Sequence, residues 1–287
     1  MKKNIKRIIN LTFATAMLFL LMPITVHADS DTEAKKELKR AKEAWNQAQA
    51  VVNSGSYGFF RDNSSQEAVK ILKYASDSTK IDASHITNVG AENDATSLEN
   101  MKKIFEPVTD YSTGKTYQYG LLDEMNDLRK NDNDFKNSTS ENHSAIKVSD
   151  LAMAIAQAQA NGETKSVAHW LTSEAPVQCA NAIVASGSDY IVSSSSEIAA
   201  WGYGNPYTGW YYEEKEIYVN NPNASFLQTG HYQAIMGSGS VTMGIGSNTK
   251  TIYGHNFTED FFGRDTTQSY TVEEYAKKFE ASSGRVG

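Results

Sequence analysis

Four side chains have the chemistry to work as one set, His169, Glu197, Glu213 and His231. Three of them lie in or beside the most aromatic stretch of the chain. Between Trp201 and Tyr218, seven of eighteen residues are aromatic, against 10% overall. Charged groups are costly in such material unless they are paired, hydrogen-bonded or bound to a metal. Two imidazoles and two carboxylates in one cleft can hold a divalent cation such as zinc. They can also poise a water as an acid–base pair. Taken singly, each has a plainer reading. Glu197 would be an acid at a helix start, favoured by the macrodipole. His169, beside Trp170, would be a histidine at the edge of the core, and Glu213 would simply salt a structural histidine.

The surrounding elements must bring these groups together. A helix is expected from Gly209 to about Asn220, ended by Asn221-Pro222-Asn223. In it, Trp210, Glu213 and Ile217 fall on one face, which turns the Glu213 carboxylate inward and Glu216 away. Beyond Gly230 the apolar period shortens. Tyr232–Met236, Ser240–Ile245 and Thr251–Phe257 read as three antiparallel strands separated by Gly, Ser and Asn. His231 would open the first strand and face Glu213. Residues 172–196 read as a short helix and an irregular excursion.

Upstream the pattern is helical. Residues 31–53 carry Ala34, Leu38, Ala41, Trp45, Ala48 and Val52 at steps of four and three, which suits a helix packed on its own domain. A turn follows at Ser54–Gly58. Ser65 caps a second helix and Thr96-x-x-Glu99 opens a third. After a turn at Tyr111–Thr116, residues 119–131 form an amphipathic helix with Leu121, Leu122, Met125 and Leu128 inward. Residues 132–143 are a polar loop. Ser149-Asp150 caps a helix with Leu151, Ala154, Ile155 and Ala158 inward, ended by Gly162. Thr271-x-x-Glu274 caps a last helix. Helices followed by strands, without alternation, indicate an α+β domain with helices covering a sheet.

Composition narrows the setting. Lys2, Lys3, Lys6 and Arg7 precede an apolar run to Met22, and Val26-His27-Ala28 offers a cleavage site, so residues 1–28 are expected to be a signal peptide. The expected product is secreted, with no membrane span after signal cleavage. Loss of four basic residues leaves 23 against 34 acidic ones, a formal charge of about −11. That balance argues against nucleic acid as a partner. The single Cys179 sits in an apolar run and reads as an inert buried thiol. His85 reads as a solvated loop residue and His255 as a structural strand residue. The chain has no HExxH motif, G-x-S-x-G elbow or phosphate loop.

Ser196-Glu197-Ile198-Ala199-Ala200, Trp210-Tyr211-Tyr212-Glu213 and Gly230-His231-Tyr232 together resemble the motifs of the CAP superfamily. These are the cysteine-rich secretory, antigen 5 and pathogenesis-related 1 proteins. The phrase Tyr207–Lys215 resembles the Gram-positive secreted and surface members, which also suits the lack of disulfides. The likeness covers residues 119–262. It implies an α-β-α sandwich preceded by an all-helical N-terminal region (29–118) and followed by a C-terminal helix and tail (263–287). It also implies a cleft lined by His169, Glu197, Glu213 and His231 that holds a divalent metal such as Zn. The family departs here at Ile198, where its pattern carries asparagine. The implied function is binding, with an unidentified cell-surface or host protein, or a small apolar ligand, as partner. Metal-dependent hydrolysis of protein or nucleic acid is the alternative, and a purely structural polar core is the third reading.

Overall fold

The computed structural model describes residues 30–76, 95–110, 113–136, 143–162, 192–221, 223–237, 239–251 and 254–282. The described residues fall into two compact units, divided between Gln47 and Ala48. The first contains the start of helix α1 (Ser30–Asn63). Its Ala34, Leu38 and Ala41, expected to pack inward, are exposed there, Leu38 by 58%. The anticipated turn at Ser54–Gly58 is a kink in α1 at Gly55, whose φ of 61° suits a residue without Cβ. His85, His169, Cys179 and the expected signal segment lie outside the described residues, as do Tyr111 and Ser112 of the expected boundary turn, whose described part turns at Gly114.

The second unit is an α+β fold. Helices α2 (Gln66–Ser76), α3 (Ala95–Phe105), α4 (Leu121–Asn131) and α5 (Asp150–Gly162) precede most of the sheet. Ser65 accepts the Ala68 N–H and Ser149 that of Ala152, so both expected caps form. A short hairpin, β1 (Val108–Thr109) and β2 (Thr116–Tyr117), joins α3 to α4. The main sheet holds β3 (Lys147–Ser149), β4 (Val192–Trp201), β5 (Thr242–Thr251), β6 (Gly254–Asp265) and β7 (Ser269–Tyr270). Its order is β4-β6-β5-β3-β7. All pairings are antiparallel except β3 with β5. Helices α6 (Glu214–Asn220) and α7 (Phe226–Met236) lie between β4 and β5 in sequence, and α8 (Val272–Ser282) follows β7. The expected box opens α8, with Thr271 and Glu274 exchanging backbone N–H bonds.

Three local expectations change. Residues 232–236 belong to helix α7, because Ser225 and Gln228 form a capping box that starts a helix six residues before the supposed strand. Glu197 lies in strand β4, which also claims residues 192–196 from the expected irregular segment. The tripeptide β3, too short to show a period, inserts a strand among the helices.

Strand alternation assigns the two faces of the sheet. A Cβ at Gly246 would stand 2.1 Å from the carbonyl oxygen of Ala156, and one at Gly244 would stand 2.2 Å from the carbonyl carbon of Ala152. Helix α5 therefore lies directly on this face, and its residues 151–160 are all buried. Ile245, between the two glycines, pairs with Glu259, which also pairs with Ile198. These three point to the opposite face, where Tyr207 donates its hydroxyl to Glu259 at 3.2 and 3.1 Å. A further aromatic cluster joins Phe59 and Phe105 to Tyr275 and Phe279 at 5.0–6.3 Å between ring centroids.

Candidate functional site

Residues 208–213 form a π-helical turn that runs directly into α6. Its hydrogen bonds span five residues instead of four, so one turn consumes an extra residue. The face that carries Trp210 is consequently met again at Glu214 and Tyr218, not at Glu213 and Ile217. Tyr218 packs on Phe135 and Tyr232 with centroids 5.7 and 5.1 Å apart, while Ile217 is 38% exposed. The carboxylate partner of His231 is thus Glu214, one residue beyond the expected one. Its Oε1 lies 2.5 Å from His231 Nδ1, and its Oε2 accepts the Tyr232 N–H at 3.0 Å. The pair links α6 to α7. The Trp210 ring lies 6.4 Å from the imidazole, whose side chain is 39% exposed.

Glu213 is exposed and accepts the Tyr203 hydroxyl at 3.2 Å. Partial burial, then the charges of Glu213 and Glu214, raise the Tyr203 pKa. Glu213 thus engages Tyr203 directly, while Glu214, whose charge also acts on that hydroxyl, holds His231. Gly209 makes room for this arrangement, because a Cβ there would meet the Tyr203 ring at 2.8 Å.

Glu197 is placed differently. It pairs across strands with Asp260, which in turn pairs with Gly244. Its side chain therefore belongs to the sheet face that meets α5, while His231 belongs with Trp210 and Tyr207 on the other. Of the four residues expected to converge, Glu213 and His231 share a neighbourhood, Glu197 is across the sheet, and His169 lies outside the described residues. Among the described residues, no group of three or more His, Cys, Asp or Glu side chains is arranged to hold a metal. When Nδ1–H donates to Glu214, Nε2 is the His231 nitrogen turned away from that carboxylate, and the Glu213 carboxylate is exposed.

Two buried networks support this helix pair, and neither is among the sequence expectations. Asp132, 1% exposed, accepts the hydroxyls of Tyr211 (2.6 Å) and Tyr232 (3.0 Å) and an ion pair from Lys215 (3.0 Å). Its other oxygen accepts the N–H groups of Asp134 and Phe135. Burial works to raise its pKa, but the bonds from Tyr211, Asp134 and Lys215 outweigh it and hold the carboxyl below its usual range. Burial pushes Tyr211 and Tyr232 far upward, so both remain neutral donors.

The second network lies beneath. Burial raises Glu259 to about 8, against the hydrogen bonds of Tyr207 and the charge of Arg129. Burial likewise raises Glu124 to about 7, although Asn205 donates to it at 2.8 Å. Arg129, lowered to about 10 by burial, donates to the carbonyls of Ile235 and Gly237 at the end of α7. A cation at a helix C-terminus complements the macrodipole. Helix α7 is therefore fixed by a capping box at its start and an arginine at its end, which holds His231 in place.

Signals for these networks were present. Glu124 stands three residues after Leu121 and four before Leu128, on the apolar face of α4. Glu259 alternates with the buried Phe257 and Phe261. Asp132-Asn-Asp just after a helix is a typical side-chain-to-backbone turn. No protein-family model, curated protein or solved structure matches the chain.

Proposed function

We propose that the chain is a secreted bacterial binding protein of the CAP type, an α-β-α sandwich acting at the cell surface or on a host partner through a cleft beside His231 that holds a divalent cation. The reading rests on the Glu214 carboxylate 2.5 Å from His231 Nδ1. A carboxylate on one ring nitrogen fixes the tautomer and orients the other nitrogen, as it does for ligating histidines. Nε2 of His231 and the exposed carboxylate of Glu213 would hold the cation, and His169 would supply the second imidazole. A bound cation would supply positive charge to an acidic partner. The Trp210 and Tyr203 rings would wall the cleft, while Glu214 keeps the imidazole oriented. Helices on both faces of the sheet support the sandwich.

Titration calorimetry with zinc tests the proposal. Wild-type protein should bind near one equivalent, and His231→Ala should abolish the signal. Glu214→Gln should weaken binding by about 10- to 100-fold, the usual effect of losing a partner that orients a ligand. Absence of heat in the wild type, or unchanged affinity in His231→Ala, would overturn the metal site. Casein and DNA incubated with divalent ions separate binding from hydrolysis. Cleavage that disappears with His231→Ala would replace the binding reading with the hydrolytic one.

A further inference from the structure

A surface cavity of about 500 Å³ opens where the β1–β2 hairpin, α4 and the start of α6 meet. That volume lies within the ~300–1,000 Å³ usual for small-molecule sites. Tyr117, Tyr212, Lys115, Asp127, Asn131 and Lys215 contribute to its wall. The cavity is built from elements other than α7, and His231 does not line it.

The chemistry of the wall restricts the ligand. Its two lysines are already matched, Lys115 with Asp127 at 2.7 Å and Lys215 with Asp132 and Asp134 at 3.0 and 2.9 Å, and Asp110 accepts the Thr113 N–H and the Tyr117 hydroxyl. An anion would have to take a lysine from a carboxylate, and a cation at Asp127 would have to displace Lys115. A purely apolar ligand would cover these groups without replacing the hydrogen bonds they make to water. The wall presents carboxylate acceptors beside ammonium and amide donors within one small space. That mixture suits hydroxyl groups, which donate and accept at once. Tyr212, the partly exposed tyrosine of the wall, adds carbon surface, against which the C–H face of a pyranose packs. Its ring is held in advance, edge-on to the buried Tyr211 at 5.1 Å, which is itself fixed by its hydroxyl on Asp132. Such preorganisation lowers the entropic cost of binding.

We infer that this cavity is a binding site for a short neutral glycan, separate from the cleft at His231. The test is titration of the full mature protein with chitotriose, cellotriose and maltotriose, followed by calorimetry and NMR. At least one trisaccharide should bind with a Kd of about 1 mM or tighter. Tyr212→Ala and Asn131→Ala should each weaken it about tenfold. Asn131 is exposed, so its variant keeps the test valid should Tyr212→Ala disturb folding. His231→Ala should leave sugar binding unchanged while removing zinc binding, so the two sites fail or succeed independently. No binding of any of the three sugars, or binding indifferent to both substitutions, would overturn the inference. Competition by inorganic phosphate would overturn it in favour of an anion site at the two lysines.

Discussion

Glu259 offers the sharpest test of how the interior is organised. It is fully buried between Phe257 and Phe261, accepts the Tyr207 hydroxyl, and has its pKa raised by burial to about 8. The native state therefore holds this proton more tightly than the unfolded chain, where the carboxyl titrates near 4.5. Its stabilising contribution is complete below about 4.5, declines as pH rises, and is lost above about 8. At roughly 1.4 kcal/mol per pH unit, that interval corresponds to on the order of 5 kcal/mol, of which about 2.5 falls between pH 5 and 7. Glu259→Gln keeps an oxygen for Tyr207 and removes the titration. Urea unfolding of both proteins from pH 5 to 9 isolates the group, because titrations not coupled to Glu259 cancel in the difference. The variant should gain about 2.5 kcal/mol on wild type between pH 5 and 7, and more by pH 9. Glu124, raised to about 7, titrates in the same window and should show a smaller effect of the same sign in Glu124→Gln. A difference between wild type and Glu259→Gln that stays constant within about 0.5 kcal/mol would refute a protonated native Glu259.

Further outcomes follow from the same contacts. Asp132→Ala leaves two tyrosine hydroxyls and Lys215 without their shared acceptor and should cost about 3 kcal/mol or more in urea unfolding. Because the Asp132 pKa is lowered in the native state, its contribution is present above about 3.8 and lost as pH falls further, and Asp132→Asn should flatten that acid limb. Gly246→Ala forces a methyl group against the α5 backbone and should destabilise by about 3 kcal/mol or more, measured as a fall in melting temperature. Glu214→Gln should speed hydrogen exchange at the Tyr232 amide by roughly tenfold, a loss near 1.4 kcal/mol, while Glu213→Gln leaves that amide unchanged.

What could be read in advance was governed by how locally each feature is encoded. The caps at Ser65, Ser149 and Thr271 depend on a few adjacent residues and form as expected. The α+β class followed from periods that are visible along single segments. Glu213 falls on the inner face only if the helix repeats near 3.6 residues, and a π turn breaks that repeat without changing composition. Residues 232–236 look like a strand because Tyr, Ala, Ile and Met are compatible with either period over five positions. The capping box upstream decides for helix. Glu197 lies in a strand after a serine run with little propensity of its own, and pairing with β6 overrides that weak signal. The Asp132 network was hidden because its donors come from residues about 80 to 100 positions away.

The position of Asp150 has a consequence for the order of assembly. One of its oxygens accepts the Ser65 N–H ahead of α2, and the other holds Lys278 of α8 at 2.7 Å. Strand β3, just before it, takes one neighbour from β5 and the other from β7. Synthesis delivers β7 and Lys278 last, so a nascent chain that has not reached residue 270 leaves one side of β3 unpaired, and one that has not reached residue 278 leaves Asp150 without its ammonium. Asp150 thus ties the start of α2 to the final helix, and β7, made just before that helix, supplies the last strand of the sheet.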